Sequence, residues 1–470
     1  MKRFTINGAV VQAYPLTAAQ RVHYYTVMAC QRHELLNIGT GFYLEYPDAN
    51  IDSLKECIKE GYQKFESMRL RLTVDKKGAY WQYLVPTDDR DIPVVDFSFW
   101  KEEDAHNEMK RWTTIPMMPD GGPLNEIKII KLPGGYVGMY MKVHHMTMDS
   151  SAIIQFYSYV LNLYCHKNFE NVPAPREPRS YLEQLQKDLA YDAGSPQMLK
   201  DQAYWEETLK APEPLFSTFS ARDRLQELRD KMGNQELRSC FISGDITADI
   251  RIYDLEGEPS ERLAQFCREN RVPMAVLLML GLRTVFSRFA GGQTDISVKN
   301  AVARRGSLNE QLSGGTRIHF WPLRTDIAPE TTFREALAIV QAKENSLLRH
   351  ANYDPIRHMG HINEVYGSPM GSSYECTTLT YQPMSLAGTS QEIPKINYKS
   401  RWYSNGVALQ FMYVTVMHRP TDNGLSFNFE YQKNEVTEDE IEKLYYYLMR
   451  AIFLGVEDPN RTIGEILEWM

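Results

Sequence analysis

Cysteine is scarce in this sequence, and its positions are widely spaced. Six cysteines occur in 470 residues, and no two of them form a CxxC pair. A disulfide framework or a structural zinc site needs cysteines that are paired or closely clustered. The six residues are therefore expected to be separate reduced thiols, which excludes a small disulfide-stabilised fold and a cysteine-based zinc site.

Long apolar segments are absent as well. The longest run, around residues 274–282, is much shorter than the roughly 20 apolar residues that a membrane-spanning helix needs. The first 17 residues contain no sustained apolar stretch and no small-residue cleavage pattern, so no signal peptide is predicted. From these absences we expect a cytoplasmic protein that does not enter a membrane.

Positive charge is not in excess. The chain has 52 Lys and Arg against 60 Asp and Glu, which gives a formal net charge of −8. Proteins that bind nucleic acids through the phosphate backbone usually carry a basic surface, so nucleic acid is not expected as a main partner. A hydrophobic share of 43% and a charged share of 24% are typical of a globular protein with a sizeable core.

Several motifs of common enzymes are missing. The sequence contains no GxGxxG dinucleotide motif, no GxxxxGK[ST] phosphate loop and no GxSxG nucleophile turn. His33 and Glu34 begin a pattern that resembles the HExxH of zinc proteases, but Asn37 stands where the second histidine belongs. Dinucleotide, P-loop, serine-hydrolase and zincin chemistry are therefore unsupported.

Helical and strand patterns alternate in blocks along the chain. Apolar residues recur at helical spacing in three segments, 51–65, 151–164 and 264–289. Four segments have the pattern of strands, 136–145, 296–302, 407–418 and 425–431. Between the last two, Asn423 and Gly424 predict a type I′ hairpin turn, which requires a positive φ at both residues. The mixture predicts an α/β fold with mixed sheets.

One segment is predicted to connect two large parts of the chain. Residues 166–179 are rich in proline and asparagine and lie between two helical patterns. We therefore expect two lobes, an N-terminal lobe of residues 1–176 and a C-terminal lobe of residues 177–470. The length of 470 residues by itself fits either about three domain-sized units or two large lobes.

The densest group of chemically capable side chains is His144-His145-Met146-Thr147-Met148-Asp149, where a predicted strand meets the predicted helix 151–164. Neighbouring residues of a strand point to opposite faces, so the two histidines are poorly placed to bind one metal ion, and no metal site is predicted. One histidine is expected to face a cleft while the other supports the structure. Because imidazole titrates near neutral pH, the first can accept a proton from an attacking amine or hydroxyl.

Each of these residues also has a purely structural alternative. Asp149 stands where a helix N-cap belongs, so its carboxylate can serve the helix, the site, or both at once. The two histidines can instead be hydrogen-bonded residues of the core. Ser150 and Ser151 follow at the predicted start of the helix, where backbone amides can stabilise a developing oxyanion. The residues alone leave these alternatives open.

Further segments resemble the motifs of the condensation domains of nonribosomal peptide synthetases, which belong to the chloramphenicol-acetyltransferase-like acyltransferases with an HHxxxDG motif. The similar segments are 14–21 (LTxAQ), 65–69 (HExLR), 122–124, 203–209 (YWxxxL), 289–296, 302–305 (VAGR), 315–324 (GxFxNTLPLR) and 425–431. The resemblance spans nearly the whole chain.

The sequence departs from the family pattern at several positions. Phe65 replaces a histidine, Arg304 stands at the glycine of VAGR, and Arg317 and His319 replace a phenylalanine and an asparagine. Ser150 stands where the family has the glycine of HHxxxDG. If the backbone at Ser150 needs a positive φ, serine costs about 1 kcal/mol there, and its side chain also narrows the channel for a substrate.

The resemblance implies a fold and a role for each residue of the motif. The implied fold is a pair of acetyltransferase-like lobes in a V shape, with an active-site tunnel between them. His145 would position or deprotonate an acceptor amine as it attacks an acyl thioester, His144 would support the structure, and Asp149 would be an ion-paired scaffold residue. Arg305 is the first candidate for the partner of Asp149, and Arg69 is the second. Ser150 and Ser151 remain candidates for the oxyanion site or the channel.

The function implied by the resemblance is that of a free-standing condensation enzyme, which joins an acyl thioester to an amine to form an amide. The thioester would arrive on phosphopantetheine, either of a separate carrier protein or of CoA, and no bound cofactor is expected. The amine would come from a small molecule or an aminoacyl carrier. Two alternatives stay open on the same fold, an ester-forming O-acyltransferase and a catalytically silent module that binds carrier proteins. A monomer is expected.

Overall fold

The protein is described by a computed structural model, which covers residues 1–6, 8–241, 244–382, 396–419, 422 and 424–470. The chain divides into two compact units. Counting described residues only, the first unit comprises Met1–Ser195, Ala303–Ile318 and Met384–Gly406. The second comprises Pro196–Val302, His319–Pro383 and Val407–Met470.

The strands and helices follow one another in mixed order along the chain. The strands are β1 (Lys2–Ile6), β2 (Ala9–Pro15), β3 (Asn37–Glu45), β4 (Leu70–Val74), β5 (Tyr80–Leu84), β6 (Val94–Asp96), β7 (Asn125–Leu132), β8 (Tyr136–His144), β9 (Cys240–Phe241), β10 (Ala248–Leu255), β11 (Asp295–Val302), β12 (His319–Asp326), β13 (Ser372–Ser373), β14 (Thr377–Gln382), β15 (Tyr398–Tyr403), β16 (Met412–Arg419) and β17 (Gly424–Gln432). The α-helices are α1 (Ala18–Cys30), α2 (Ile51–Lys64), α3 (Glu102–Thr114), α4 (Ser150–Asn168), α5 (Tyr181–Asp192), α6 (Pro196–Thr208), α7 (Arg224–Met232), α8 (Gly257–Asn270), α9 (Met274–Phe289), α10 (Leu308–Leu312), α11 (Phe333–His350), α12 (Pro355–Tyr366), α13 (Glu438–Glu457) and α14 (Ile463–Trp469).

The first unit is built on a five-stranded sheet with the order β15-β3-β8-β7-β6 and a four-stranded sheet with the order β1-β2-β5-β4. In the five-stranded sheet, alternate residues of β8 face different helices, because successive strand residues point to opposite faces. Met139 and Met141 join a core with α2 and α4, whereas Tyr140 joins a core with α3. Both faces of β8 are therefore covered, which explains its continuous apolar pattern.

β8 leads directly into α4, as the sequence predicts for a buried strand followed by an amphipathic helix. Residues Val137 to His144 of β8 are all buried. α4 begins after its N-cap Asp149, and its apolar side chains, among them Phe156 and Val160, pack into the core with α2. The junction of strand and helix is thus anchored on both sides by core packing.

The second unit contains a six-stranded mixed sheet with the order β10-β17-β16-β14-β11-β12. α9 begins after Pro273 and is buried around most of its circumference, with Gly281 allowing close approach to Ile452 of α13. Among the described helices, none is by itself long and apolar enough to cross a bilayer. α8 and α9 reach the required length and apolar character only when they are taken together, and the two helices are bent by 109° relative to each other.

The predicted pairing of the last two strands is confirmed, but the turn between them differs from the prediction. β16 and β17 are antiparallel, and Arg419 pairs with Gly424. Gly424 is not one of the residues with a positive φ, and Asn423 lies outside the described residues. The amide of Gly424 donates to Asp422 Oδ1 (3.0 Å), and Asp422 is ion-paired with Arg419. The expectation of a type I′ turn is therefore wrong at Gly424, since this residue already belongs to the strand.

The division into units differs from the linear division after residue 176. The first unit continues through α5, where Tyr181 and Leu185 pack against Leu70 of β4. It also includes the segment Ala303–Ile318, which lies far along the chain between two strands of the second unit. A boundary drawn at a turn-rich stretch cannot identify such a segment, because its assignment depends on long-range contacts.

All six cysteines are free thiols. Burial raises the pKa of Cys57 and Cys240 to about 11 and that of Cys376 to about 12. A thiol with a raised pKa stays protonated at neutral pH and is a poor nucleophile. Cys57, Cys240 and Cys376 therefore act as core residues.

Candidate active site

The HHxxxD segment forms a turn between β8 and α4 in the first unit. Within the turn, the amide and the hydroxyl of Thr147 both donate to the carbonyl of His144 (2.8 Å each). The amide of Met146 donates to Nδ1 of the His144 ring (3.3 Å). From outside the turn, the carbonyl of Leu36 accepts from the amide of His145 (2.6 Å). These bonds fix the backbone on both sides of the His145 side chain.

The two histidines have different surroundings. His144 is buried, and burial together with the neighbouring His145 and His33 lowers its pKa to about 3. The ring of His145 is half-buried, and its Nδ1 is enclosed and has no hydrogen bond among the described residues. His144 therefore holds the turn, and His145 is the less buried of the two residues.

His145 is neutral at pH 7. Burial lowers the pKa of His145, and the nearby Asp149 carboxylate opposes this shift only in part. A neutral imidazole offers a lone pair and can accept a proton from a nucleophile. Among the described residues, no three His, Cys, Asp or Glu side chains are arranged to hold a metal ion.

Asp149 has all its hydrogen-bonding capacity directed to structural partners. Oδ1 accepts from the amide of Ala152 (3.0 Å), which makes Asp149 the N-cap of α4. Nη2 of Arg305 donates to Oδ1 (2.8 Å) and Oδ2 (3.0 Å), and the amide of Arg317 donates to Oδ2 (2.8 Å). Helix capping, which the residues predict, and ion pairing, which the resemblance implies, thus occur together. A carboxylate occupied in this way is suited to scaffolding rather than to proton transfer.

The two arginine candidates lie in different places. Besides Asp149, Arg305 donates to the carbonyls of Glu310 (2.6 Å), Gly314 (3.2 Å) and Gly315 (2.8 Å). It therefore ties the segment Ala303–Ile318 to the start of α4.

The described contacts of Arg69 are instead with backbone carbonyls near its own strand. It donates to Tyr62 (3.1 Å), Gln63 and Val85 (3.2 Å). Arg69 braces the entry to β4, so Arg305 is the arginine that contacts Asp149.

Two departures from the family pattern, Arg304 and Arg317, contact each other. Arg304 has a φ of 51°, in the left-handed region that favours glycine. Its Nε donates to the carbonyl of Arg317 (2.6 Å), and Nε of Arg317 donates to the carbonyl of Arg304 (3.1 Å). Arg317 is buried and pairs with Asp188 (2.6 Å) and Glu310 (2.9 Å). These bonds brace the backbone whose amide donates to Asp149.

Ser150 and Ser151 are the first two residues of α4, and both are half-buried. Ser150 is not among the residues with a positive φ. Serine therefore does not strain the backbone at position 150. The amides of both residues belong to the first turn of the helix, where the macrodipole favours negative charge.

Sequence reasoning missed His23. This buried residue of α1 stacks its ring on that of His145, with centroids 4.0 Å apart and an interplanar angle of 28°. Burial and the nearby His145 and His144 hold the pKa of His23 well below its usual value. The sequence offered one signal for His23: it lies three residues after Gln20 of the LTxAQ-like segment, so both residues lie on one face of the helix.

Comparison with known proteins identifies the fold. Over 454 residues the chain is 22% identical to bacitracin synthase 1 of Bacillus licheniformis, covering 96% of this chain and 8% of that protein. Over 427 residues it is 23% identical to the dimodular nonribosomal peptide synthase of Bacillus subtilis (strain 168), covering 88% of this chain and 17% of that protein. The chain thus spans less than a fifth of the length of either curated relative.

Two solved structures share the backbone arrangement. The first condensation domain of the CDA synthetase matches with a TM-score of 0.77 and 19% identity, covering 97% of this chain and 98% of that one. A variant of the starter condensation domain of rhizomide synthetase, in complex with C8-CoA, matches with a TM-score of 0.78 and 18% identity over 96% and 97% of the two chains. These matches confirm the predicted mixed α/β fold class. The family model of the condensation domain matches residues 10–468, and the chain therefore belongs to the condensation domain family.

Proposed function

We propose that this chain joins an acyl thioester to an amine acceptor and thereby forms an amide. The observation that carries the proposal is the half-buried ring of His145, which lies in a turn fixed by hydrogen bonds and whose pKa burial lowers. Membership of the condensation domain family supports the same class of acyl transfer. The fixed turn around His145 supplies the rigid geometry that such a reaction needs.

In the proposed step, the amine nitrogen attacks the carbonyl carbon of the thioester. The C–N bond forms, the C–S bond breaks, and Nε2 of His145 accepts the proton that the amine nitrogen loses. The proton then passes to the departing thiolate, which leaves as a thiol. Since a thioester is already activated, correct placement of both reactants supplies a large part of the roughly 7 to 11 kcal/mol available from proximity.

The other residues of the motif have supporting roles in this proposal. His144 and Asp149 hold the turn and the start of α4, and Arg305 fixes Asp149. The amides of Ser150 and Ser151 are the proposed donors to the oxyanion that develops on the thioester carbonyl, because they lie at the positive end of a long helix.

The proposed donor is a phosphopantetheine thioester, held by a carrier protein or by CoA. The structural match to a starter domain solved with C8-CoA supports the inclusion of acyl-CoA among the donors to be tested. The proposed acceptor is a primary amine, either of a small molecule or of an aminoacyl carrier.

The test incubates the purified chain with acyl-CoA, acyl-pantetheine and acyl-carrier thioesters together with pooled amines and alcohols, and mass spectrometry identifies the products. We expect an amide whose formation falls by about 10²-fold or more in His145→Ala, since general-base catalysis contributes on this order. His166→Ala is the matched control, because His166 is exposed at the far end of α4.

Three results would contradict the proposal. A product ester that depends on His145 would assign an O-acyltransferase. Equal amide formation by His145→Ala would remove His145 from the reaction. Absence of turnover with every class of donor, in a chain that still binds acyl carriers, would assign a silent binding module.

A further inference from the structure

We propose that His23 is a positioning residue for His145: the ring of His23 fixes the plane of the His145 imidazole and covers one of its faces. This inference rests on the proposed function, because the position of the His145 ring matters for the reaction only if His145 accepts the proton of the amine. It adds a residue of α1 to a site otherwise built from β8, α4 and the segment Ala303–Ile318.

α1 is held firmly against the His145 turn. The helix begins with a capping box, in which Thr17 and Gln20 bond each other's backbone amides. The buried amide group of Gln20 also donates to the carbonyl of Met146 (3.0 Å) and to Gln82 Oε1 (2.9 Å). Since Gln20 fixes the turn one residue after His145, His23 meets the ring of His145 at a defined position.

The contact between the two rings leaves His145 little freedom to rotate. The centroids are 4.0 Å apart, so the rings are in van der Waals contact over their faces. A turn of the His145 ring about its Cβ–Cγ bond would drive its edge into His23, which is itself buried and unable to retreat. The stack therefore fixes the plane in which Nε2 lies.

Charge allows only one member of the pair to take up a proton. The titratable groups near the two rings are His144 and Asp149, with His33 next to His144. His23 lies deeper than His145 and has only imidazoles, not Asp149, among these neighbours, so its pKa is held well below the usual value. Because two adjacent imidazolium ions would repel each other, His23 stays neutral and the proton goes to His145.

The first test measures the protonation of His145 without any turnover. The full chain is labelled with ¹³C and ¹⁵N histidine, the His145 signal is assigned with His145→Asn, and its pKa is followed by NMR. In His23→Ala, water reaches the face of the His145 ring that His23 covers, and we expect the pKa of His145 to rise by about half a unit or more toward the usual value. His23→Phe retains a flat buried ring and should leave the pKa within the error of the wild-type value.

The second test uses amide formation. We expect His23→Ala to lower kcat by about tenfold, since small misplacements of catalytic groups cost on this order or more. The KM for the acyl donor should change little, and His23→Phe should restore most of the rate. Circular dichroism checks the fold of each variant, and His23→Leu replaces the alanine variant if that protein does not fold.

The outcomes separate this inference from the proposed function. A folded His23→Ala or His23→Leu protein with an unchanged pKa of His145 and an unchanged kcat overturns the positioning role. If the wild-type chain forms no amide, the proposed function fails, while the NMR titration still decides whether His23 sets the state of His145.

Discussion

The ring of His145 is half-buried with an enclosed Nδ1, and this burial sets the pH range in which the residue can act. The reaction proposed here needs the neutral imidazole. Burial stabilises that form, because the charged form loses hydration when it is enclosed. The pH dependence of the reaction is therefore the most direct consequence of the burial of His145.

We predict that the acid limb of kcat/KM for amide formation has its midpoint below about pH 6.5, the ordinary pKa of histidine. Burial lowers the pKa of His145, so half of this residue is protonated only below that value. The measurement is a pH profile of kcat/KM with a donor stable over the range and a weakly basic acceptor amine that stays unprotonated, since protonation of the acceptor would itself lower the rate. With such an acceptor, a midpoint at about pH 7 or above would be inconsistent with a buried neutral His145.

Among the elements of the fold, the segment Ala303–Ile318 contributes most of the groups that hold Asp149. Arg305 supplies the ion pair, and the amide of Arg317 supplies a further hydrogen bond. Arg317 is fixed in turn by Asp188 of α5. The start of α4 is thus braced by a short segment, which is itself braced by a second helix.

This arrangement predicts strong coupling between Arg317 and Asp188. Arg317→Leu leaves the half-buried Asp188 carboxylate without this partner, and we expect a loss of unfolding free energy below the range of about 3 to 5 kcal/mol that a fully buried pair costs. In the double variant Arg317→Leu/Asp188→Leu, we expect the loss of unfolding free energy to be smaller than the sum of the losses in the two single variants. The difference should be about 1 to 3 kcal/mol.

Urea denaturation of the four proteins measures this cycle. Asp223→Asn serves as a control, because Asp223 is an exposed N-cap of α7, and asparagine caps helices equally well. Strict additivity of the two single changes would show that the ion pair does not act as a unit.

Across the molecule as a whole, each unit contains a buried histidine with a strongly lowered pKa. Burial is the main cause for both His144 in the first unit and His358 in the second, and each has a pKa of about 3. In the unfolded chain both titrate near pH 6.5. The unfolded state therefore binds more protons than the folded state below this pH, so stability falls as the solution becomes more acidic.

We predict that unfolding free energy falls by about 2 kcal/mol for each of these histidines between pH 7 and pH 5. Urea unfolding at the two pH values measures the difference. In His358→Leu, the fall in unfolding free energy between pH 7 and pH 5 should be smaller than in the wild-type chain by about 2 kcal/mol, the contribution of one histidine. This comparison does not depend on how stable the variant is at pH 7. Equal stability of the wild-type chain at both pH values would contradict the prediction.

The local features of this protein follow from its sequence alone. The alternation of apolar residues predicts β8, α4 and the mixed fold class, because side chains repeat every two residues in a strand and every 3.6 in a helix. The spacing of His144, His145 and Asp149 locates the candidate site for a similar reason, since all three lie within one strand-to-helix junction.

The resemblance placed Arg305 before Arg69 as the partner of Asp149, but only the tertiary contacts decided between the two and showed the other partners. These contacts assign Asp149 to Arg305 rather than Arg69, bring His23 of α1 onto His145, and place Ala303–Ile318 in the first unit. The backbone of Ser150 is not left-handed, whereas that of Arg304 is. Asp149 and Arg305 are 156 positions apart, and His23 is separated from His145 by a similar stretch of chain. Local patterns carry no information on such pairings, because the pairings arise only when distant elements pack together.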